Sequence, residues 1–397
     1  MIFTTWPFFF FMAAVFVCYW WAVPARWRKP FLLLASLAYF TYSYPPHTLL
    51  LAGLSATVYL IGNAIHRARH EGARASARRL VIVGIAVCAA TLGVFKYSAM
   101  LVGLWNGAVL AASPSLRLDV PKLLVPLGIS FFTFEFIHYL ADLYNGRVKR
   151  VGPVDFGLFA FFFPSLVSGP VKRFQIFQEQ GEALEPLSPA LVHAGLVRIV
   201  TGIAKKVVIA DTASIAAHAL VEPGGAGRVA LWIAMYAYAV KIYYDFSGYT
   251  DIAIGCGRLL GYRLPENFAK PYRQPNIARF WNCWHMSLSS WIRDYLFIPL
   301  GGSRGSRWRT IVNLVLVMTI CGLWHGANWN FVVWGLWHGA GLGAMRLWKA
   351  AFPNVPDTPI IRALGVAVTV QFVCFGWVLF AAPDLPTAIQ ALRRMIG

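Results

Sequence analysis

The 397 residues are 58% hydrophobic and only 13% charged, with a mean hydropathy of +0.59. Soluble domains carry roughly 25% charged residues, so this composition excludes a chain whose surface mostly faces water. Lys plus Arg exceed Asp plus Glu by 35 to 16, a net charge of +19. The basic residues cluster between apolar runs, the positive-inside pattern of a membrane protein rather than a nucleic-acid footprint.

Several apolar segments approach the roughly 20 residues that cross a hydrocarbon core. They include Phe8–Val23, Leu80–Val94, Val229–Val240 with its flanks, Ile311–Trp324 and Ile361–Phe380. An all-α polytopic membrane protein is expected. The first span lacks a basic n-region, and Arg26, Arg28 and Lys29 follow it, so it reads as a retained helix with its N-terminus outside. Arg67, Arg69, Arg74, Arg78 and Arg79 fill the next basic loop. Arg147, Lys149 and Arg150 make a third, and Arg304, Arg307 and Arg309 a fourth. With all four loops in the cytoplasm, Tyr42–His47 and Ala111–Asp119 become short external turns.

The chain is expected to be a single membrane domain over 1–397, with peripheral spans in 1–110, a catalytic core in 120–345, and a terminal helix and short tail in 346–397. Glu135, His138 and Asp142 interrupt a span at Leu123–Leu143. The stretch Phe159–Pro170 is too short to cross comfortably and ends in Ser-Gly-Pro, which predicts a broken or re-entrant helix enclosed by protein or by a water-filled cavity. Lys172–Pro189 is polar enough to lie in the interface. Leu191–Leu220 reads as a span carrying Lys205 and Lys206 in its middle. From Tyr236 to Gly302 polar residues are dense and Pro265, Pro271, Pro275 and Pro299 break the apolar runs, so the active-site cavity is placed there. The six cysteines stand singly, without the spacing of a disulfide framework or a zinc ribbon.

His325, in Cys321-Gly-Leu-Trp-His-Gly-Ala-Asn-Trp-Asn330, closes the apolar stretch that ends at Trp324. An ionisable side chain at that depth is expensive and is a functional-site hypothesis by default. His285 lies forty residues earlier in Phe280-Trp-Asn-Cys-Trp-His285. Two such histidines without an evident nucleophile point to acid–base chemistry inside a bilayer. Asp245 and Asp251 need partners in an apolar setting, for which Arg293, Lys241 and Arg258 are candidates; holding a histidine tautomer is the other reading. Arg293-Asp294 reads as a mutual cap or as part of a donor entrance. Cys321, His325, Cys283 and His285 could form a tetrahedral zinc site, but isolated cysteines in apolar helices usually act as small hydrophobes, so no metal is expected. His338, thirteen residues past His325, turns to a different helical face and reads as structural.

Three ordered motifs carry a resemblance: Tyr243–Gly255, Phe280–Gly302 and Gly322-Leu-Trp-His-Gly-Ala327. Together with Val125–Phe131 and Phe163–Pro170, they resemble the membrane-bound O-acyltransferase (MBOAT) family, in its bacterial alginate O-acetylation branch. The teichoic-acid D-alanyl transfer branch is more distant. The resemblance covers about 120–345 and implies a helical bundle with broken helices around a central funnel or tunnel in the bacterial inner membrane. It implies that His325 is the catalytic histidine and His285 the second conserved polar position. It also implies a cytoplasmic thioester donor, acetyl-CoA or an acyl carrier, with no bound cofactor. The acceptor is then a hydroxyl on an extracytoplasmic polysaccharide or on a periplasmic partner protein. Family members often carry basic residues where this chain has Asn282-Cys283, which implies different contacts to the donor. They also usually continue beyond a point like Gly397, which implies a compact member or a chain lacking its C-terminal part.

Acyl transfer to a hydroxyl needs a base, and neutral imidazole suits that role. The chain has no G-x-S-x-G elbow, S-x-x-K, H-E-x-x-H or phosphate loop, so direct transfer without a covalent enzyme intermediate is expected. Trp324, Trp329, Asn328 and His285 are the candidate donors to the developing oxyanion. A transporter or flippase for a glycan-lipid or acyl substrate is the first rival, since broken helices and buried charges also mark transporters. It lacks the internal repeat such folds often show. A lipid-linked glycosyltransferase is the second, and the short external turns offer it no carboxylate cluster.

Overall fold

The computed structural model describes residues 3–109, 113–149, 151–166 and 169–397; Ala111, Ala112, Arg150, Val167 and Ser168 of the segments above lie outside them. Regular structure among the described residues is helical, and the extended backbone shows an isolated antiparallel bridge between Phe268 and Trp284. The helices gather into two compact units, Met1–Thr201 with Tyr249–Pro265, and Gly202–Gly248 with Glu266–Gly397.

The first unit begins with α1 (Trp6–Val17), which continues through a π-helical turn to Ala22, and α2 (Arg28–Ser43). Next come α3 (Pro45–His70) and α4 (Arg74–Val109). The second basic loop is mostly helix: Arg67 and Arg69 end α3, and Arg74, Arg78 and Arg79 open α4. The expected span at Leu123–Leu143 is only partly helical. Pro121, Pro126 and a left-handed Gly128 (φ 81°) delay the start, so α5 is Ile129–Tyr144. After α6 (Pro153–Phe161) the apolar stretch leaves the helix at Phe162, just ahead of Pro164, which disfavours helix in the residue before it. The unit is completed by α7 (Phe174–Glu182) and α8 (Pro189–Ile203).

Glu135, His138 and Asp142 share one face of α5, spaced three and four residues apart. That face receives the segment before α7. Lys172 Nζ donates to Glu135 Oε1 at 2.7 Å, Phe174 N donates to His138 Nε2 at 3.1 Å, and Gln175 Nε2 donates to Asp142 Oδ2 at 2.5 Å. Lys172, expected in the interface, is buried, because the Glu135 carboxylate needs a partner of opposite charge. Around this polar line the core is phenylalanine-rich: Phe159 packs on Phe174 and Phe177, and Phe162 on Phe177 and Tyr262.

In the second unit the backbone following α8 runs through a π-helical stretch, Ala204–Ala210, into α9 (Asp211–Ala217). The sequence around Tyr236 does not break the chain. α10 (Arg228–Leu259) is one helix of 32 residues, with its residues 228–248 in this unit and 249–259 in the first. The interruption begins only past Leu259, where Pro265 and Pro271 forbid helix. Two short helices follow, α11 (Ile277–Cys283) and α12 (Met286–Ile292). They lead to α13 (Arg307–His325), α14 (Trp329–Ala351), α15 (Pro359–Ala381) and α16 (Leu385–Ile396). The last stretch, read from sequence as a tail, is thus helical; Asp384 caps it by accepting from Thr387 N at 2.8 Å. Helices α3, α4, α13 and α15 are long and apolar enough to cross a membrane.

The buried Lys172–Glu135 pair yields a stability prediction. Lys172→Met strands a buried carboxylate and is expected to cost about 3–5 kcal/mol. Thermal unfolding in detergent should show a lowered midpoint that Lys172→Met with Glu135→Gln partly restores. A double variant no more stable than the single one would count against the pairing.

Candidate functional site

The motif histidines both lie in the second unit, and separate devices position them. For His325 the device is a close helix pair. Gly335, Gly339 and Gly343 repeat every fourth residue along α14, a small-residue stripe that lets two backbones approach. A Cβ at Gly339 would sit 2.7 Å from Val315 Cα, and one at Gly343 would sit 2.9 Å from Ile311 Cγ2. At Gly335 a Cβ would strike the Met318 carbonyl, and at Gly322 the Phe331 carbonyl. These contacts register α13 antiparallel to α14 along its length. They hold the end of α13, and with it His325, beside the start of α14.

The His325 ring is enclosed by aromatic faces and edges. Its centroid lies 4.6 Å from Trp324, 5.2 Å from Trp334 and 5.0 Å from Phe380. Asn330 ties α14 to α15 by donating from Nδ2 to the Leu379 and Ala382 carbonyls, at 3.2 and 2.8 Å. That tie keeps Phe380 in register with the imidazole.

His285 sits between α11 and α12 with φ 44° and ψ 54°. This left-handed conformation costs a non-glycine residue of order 1–3 kcal/mol, so the surroundings must impose it. Hydrogen bonds flank it on both sides: Ala269 N donates to Cys283 O at 3.0 Å and Met286 N donates to Asn267 O at 2.9 Å. Between them the Phe268–Trp284 bridge pins the strand-like approach. The imidazole is buried, its ring edge-on to Phe246 at 4.6 Å and its Nδ1 3.2 Å from Asn267 Oδ1. Trp324 joins the two histidines, with its ring 6.4 Å from His285 and 4.6 Å from His325.

A cavity of about 710 Å³ opens beside this turn. Trp281, Met286 and Met318 contribute to its wall, and Arg293, Arg346 and Lys349 supply cations; among the described residues no carboxylate lines it.

Arg293 Nε donates to Asp294 Oδ1 at 2.8 Å, the mutual cap read from sequence, and it lines the cavity. The carboxylates form ion pairs, but with partners other than Arg293, Lys241 or Arg258. Lys206 Nζ lies 2.9 Å from Asp245 Oδ1 and 2.7 Å from Asp211 Oδ1. Asp251 belongs to the first unit, where Arg198 Nη2 holds it at 2.7 Å. Both cations lie some forty residues or more upstream, beyond any sequence-local pairing rule. Asn328 is spent on structure: its Oδ1 caps α14 by accepting from Trp329 N at 2.7 Å, and its Nδ2 donates to Pro383 O at 2.9 Å. Trp329 occupies the first turn of α14 with half its surface exposed, away from the aromatic enclosure of His325. Among the described residues no three His, Cys, Asp or Glu side chains converge to hold a metal ion. His338 is buried among Trp281, Trp334 and Phe372. Sequence reading missed Asn267, Trp334, Phe380 and the Arg346–Lys349 pair. Only the last left a signal, two cations three residues apart near the end of an apolar helix.

Comparison with known proteins matches residues 87–381 to the membrane-bound O-acyltransferase family. A probable alginate O-acetylase of Azotobacter vinelandii is 38% identical, covering 100% of this chain and 78% of that protein. A peptidoglycan O-acetyltransferase of Helicobacter pylori is 32% identical over 93% of this chain and 74% of its own length. A teichoic acid D-alanyltransferase of Bacillus subtilis is 30% identical over 64% of this chain and 68% of its own.

If the glycine stripe places His325, Gly335→Val must force α13 and α14 apart. The expected result is a large loss of monodisperse protein on size-exclusion chromatography in detergent. Leu336→Ala, on the exposed side of the same turn, should behave like wild type. Equal behaviour of the two variants would remove the close approach as the positioning device.

Proposed function

The chain belongs to the membrane-bound O-acyltransferase family, and on that premise we propose that it O-acetylates an extracytoplasmic polysaccharide, drawing on a cytoplasmic thioester and using His325 as general base. The observation that carries this reading is the pairing of two histidines about the Trp324 ring, one buried, the other in an aromatic enclosure. Relatives named for alginate and peptidoglycan O-acetylation support both the acetyl group and the glycan. The acceptor hydroxyl belongs either to the glycan or to a periplasmic partner protein that completes the transfer.

The chemistry runs in one displacement. The hydroxyl oxygen bonds to the thioester carbonyl carbon while its proton passes to the His325 imidazole. The tetrahedral intermediate then collapses, the C–S bond breaks, and the proton moves from the imidazolium to the departing thiolate. The products are an O-ester and a free thiol, with the base regenerated. A positioned base of this kind is worth about 10²–10⁴ in rate.

The cavity bearing Arg293, Arg346 and Lys349 fits an anionic donor, with its apolar wall for the thioester arm. Coenzyme A and a phosphopantetheine-bearing carrier share that chemistry. We place the basic ends of the spans in the cytoplasm, the N-terminus outside, and the protein in the bacterial inner membrane. The transporter or flippase reading is not favoured, because membership in an acyltransferase family accounts for the same broken helices and buried charges.

His325→Ala should lower acetyl transfer to cell-surface glycan by about 10²–10⁴-fold at matched membrane levels, read as base-labile acetate in a complemented deletion strain. Undiminished acetate in that strain would dismiss His325 as base. Arg346→Gln with Lys349→Gln should raise KM for acetyl-CoA in membrane vesicles and flatten its salt dependence, leaving kcat nearly unchanged. An unchanged KM would move the donor elsewhere.

A further inference from the structure

Asn267 is fully buried and clamps the turn that carries His285 from two directions. Its backbone carbonyl accepts from Met286 N at 2.9 Å. Its side-chain Oδ1 accepts from Ser287 Oγ at 2.6 Å and Ser287 N at 3.3 Å, and lies 3.2 Å from His285 Nδ1.

The identity of that amide atom decides the histidine. Oxygen and nitrogen of an asparagine are interchangeable in shape, so their assignment must come from the partners. A backbone N–H can only donate, and the Ser287 N–H faces this atom; it is therefore the oxygen. A carbonyl oxygen has no proton to give, so the Nδ1 facing it must carry one. The Phe246 ring, perpendicular at 4.6 Å, holds the imidazole plane that makes this bond.

We infer that Asn267 is a positioning residue that holds His285 in its Nδ1–H tautomer and leaves Nε2 as a bare, accepting nitrogen. The inference deepens the reading of the histidine pair given above and rests on it for its functional meaning. In this state His285 orients a hydroxyl or thiol by accepting its hydrogen bond, or receives a proton. It does not donate to the oxyanion of the tetrahedral intermediate, so that role falls to other groups. Asn267 touches no substrate in this scheme and acts through His285.

The test has two independent readouts on the full-length protein in lipid nanodiscs. With ¹⁵N-labelled histidine, the resonances that vanish in His285→Gln report the ring: a protonated Nδ1 and an unprotonated Nε2 are expected. The opposite pattern, or protonation of both nitrogens at pH 7, overturns the assignment. In acetyl transfer from acetyl-CoA, Asn267→Leu should lower kcat about tenfold or more with KM within about threefold. Asn267→Asp keeps an acceptor oxygen at the same place and should recover much of that loss. An Asn267→Leu protein with wild-type kcat overturns the positioning role. If His285→Gln is itself fully active while wild type shows the Nδ1–H pattern, the tautomer stands and the catalytic reading of His285 falls.

Discussion

Backbone that leaves a helix inside a hydrocarbon layer has no water to satisfy its N–H and C=O groups, and each orphan costs several kcal/mol. The rest of this structure follows from how that demand is met. In α3, α4, α13 and α15, helices long and apolar enough to cross such a layer, the ladder closes within the segment. Between α10 and α12, where the backbone leaves the helix, open groups pair with nearby backbone and with Asn267. Those bonds flank His285 and hold it in a left-handed conformation.

The same scarcity of solvent governs the charged side chains. Glu135, Asp245 and Asp251 each have a cation at 2.7–2.9 Å, from Lys172, Lys206 and Arg198 respectively. Removing a buried charge's partner is strongly destabilising, while the intact pair contributes little by itself. The pairs therefore act as registers between segments: α5 with the segment before α7, and the π-helical stretch after α8 with α10. None of them needs a catalytic role to explain its presence. His285 is different, because the group facing its Nδ1 is the neutral Asn267 amide rather than a counter-charge.

Close packing supplies the last element of the site. The stripe Gly335, Gly339 and Gly343 lets α13 lie against α14, and the aromatic residues of α14 and α15 then fill the space around His325. Small residues create the proximity and large ones complete the enclosure. Trp324 serves both histidines because it precedes one in the chain and reaches the other through space.

Read alone, the sequence determined that the protein is helical and membrane-bound, and it picked out His325 and His285. Hydropathy and the rarity of ionisable groups at membrane depth are local properties, visible residue by residue. It also placed Arg293 with Asp294, neighbours in the chain. The partners of Asp245 and Asp251, the tie of Asn328 to Pro383 and the part played by Asn267 could not be read that way. Each depends on a group roughly eighteen to fifty-five residues distant, brought within hydrogen-bond reach by packing. The unbroken α10 shows the reverse case, in which polar residues that looked like interruptions sit on a continuous helix, where Lys206 and Arg198 meet Asp245 and Asp251. A side chain's cost in the membrane is written at its own position, whereas what meets that cost is decided by the fold.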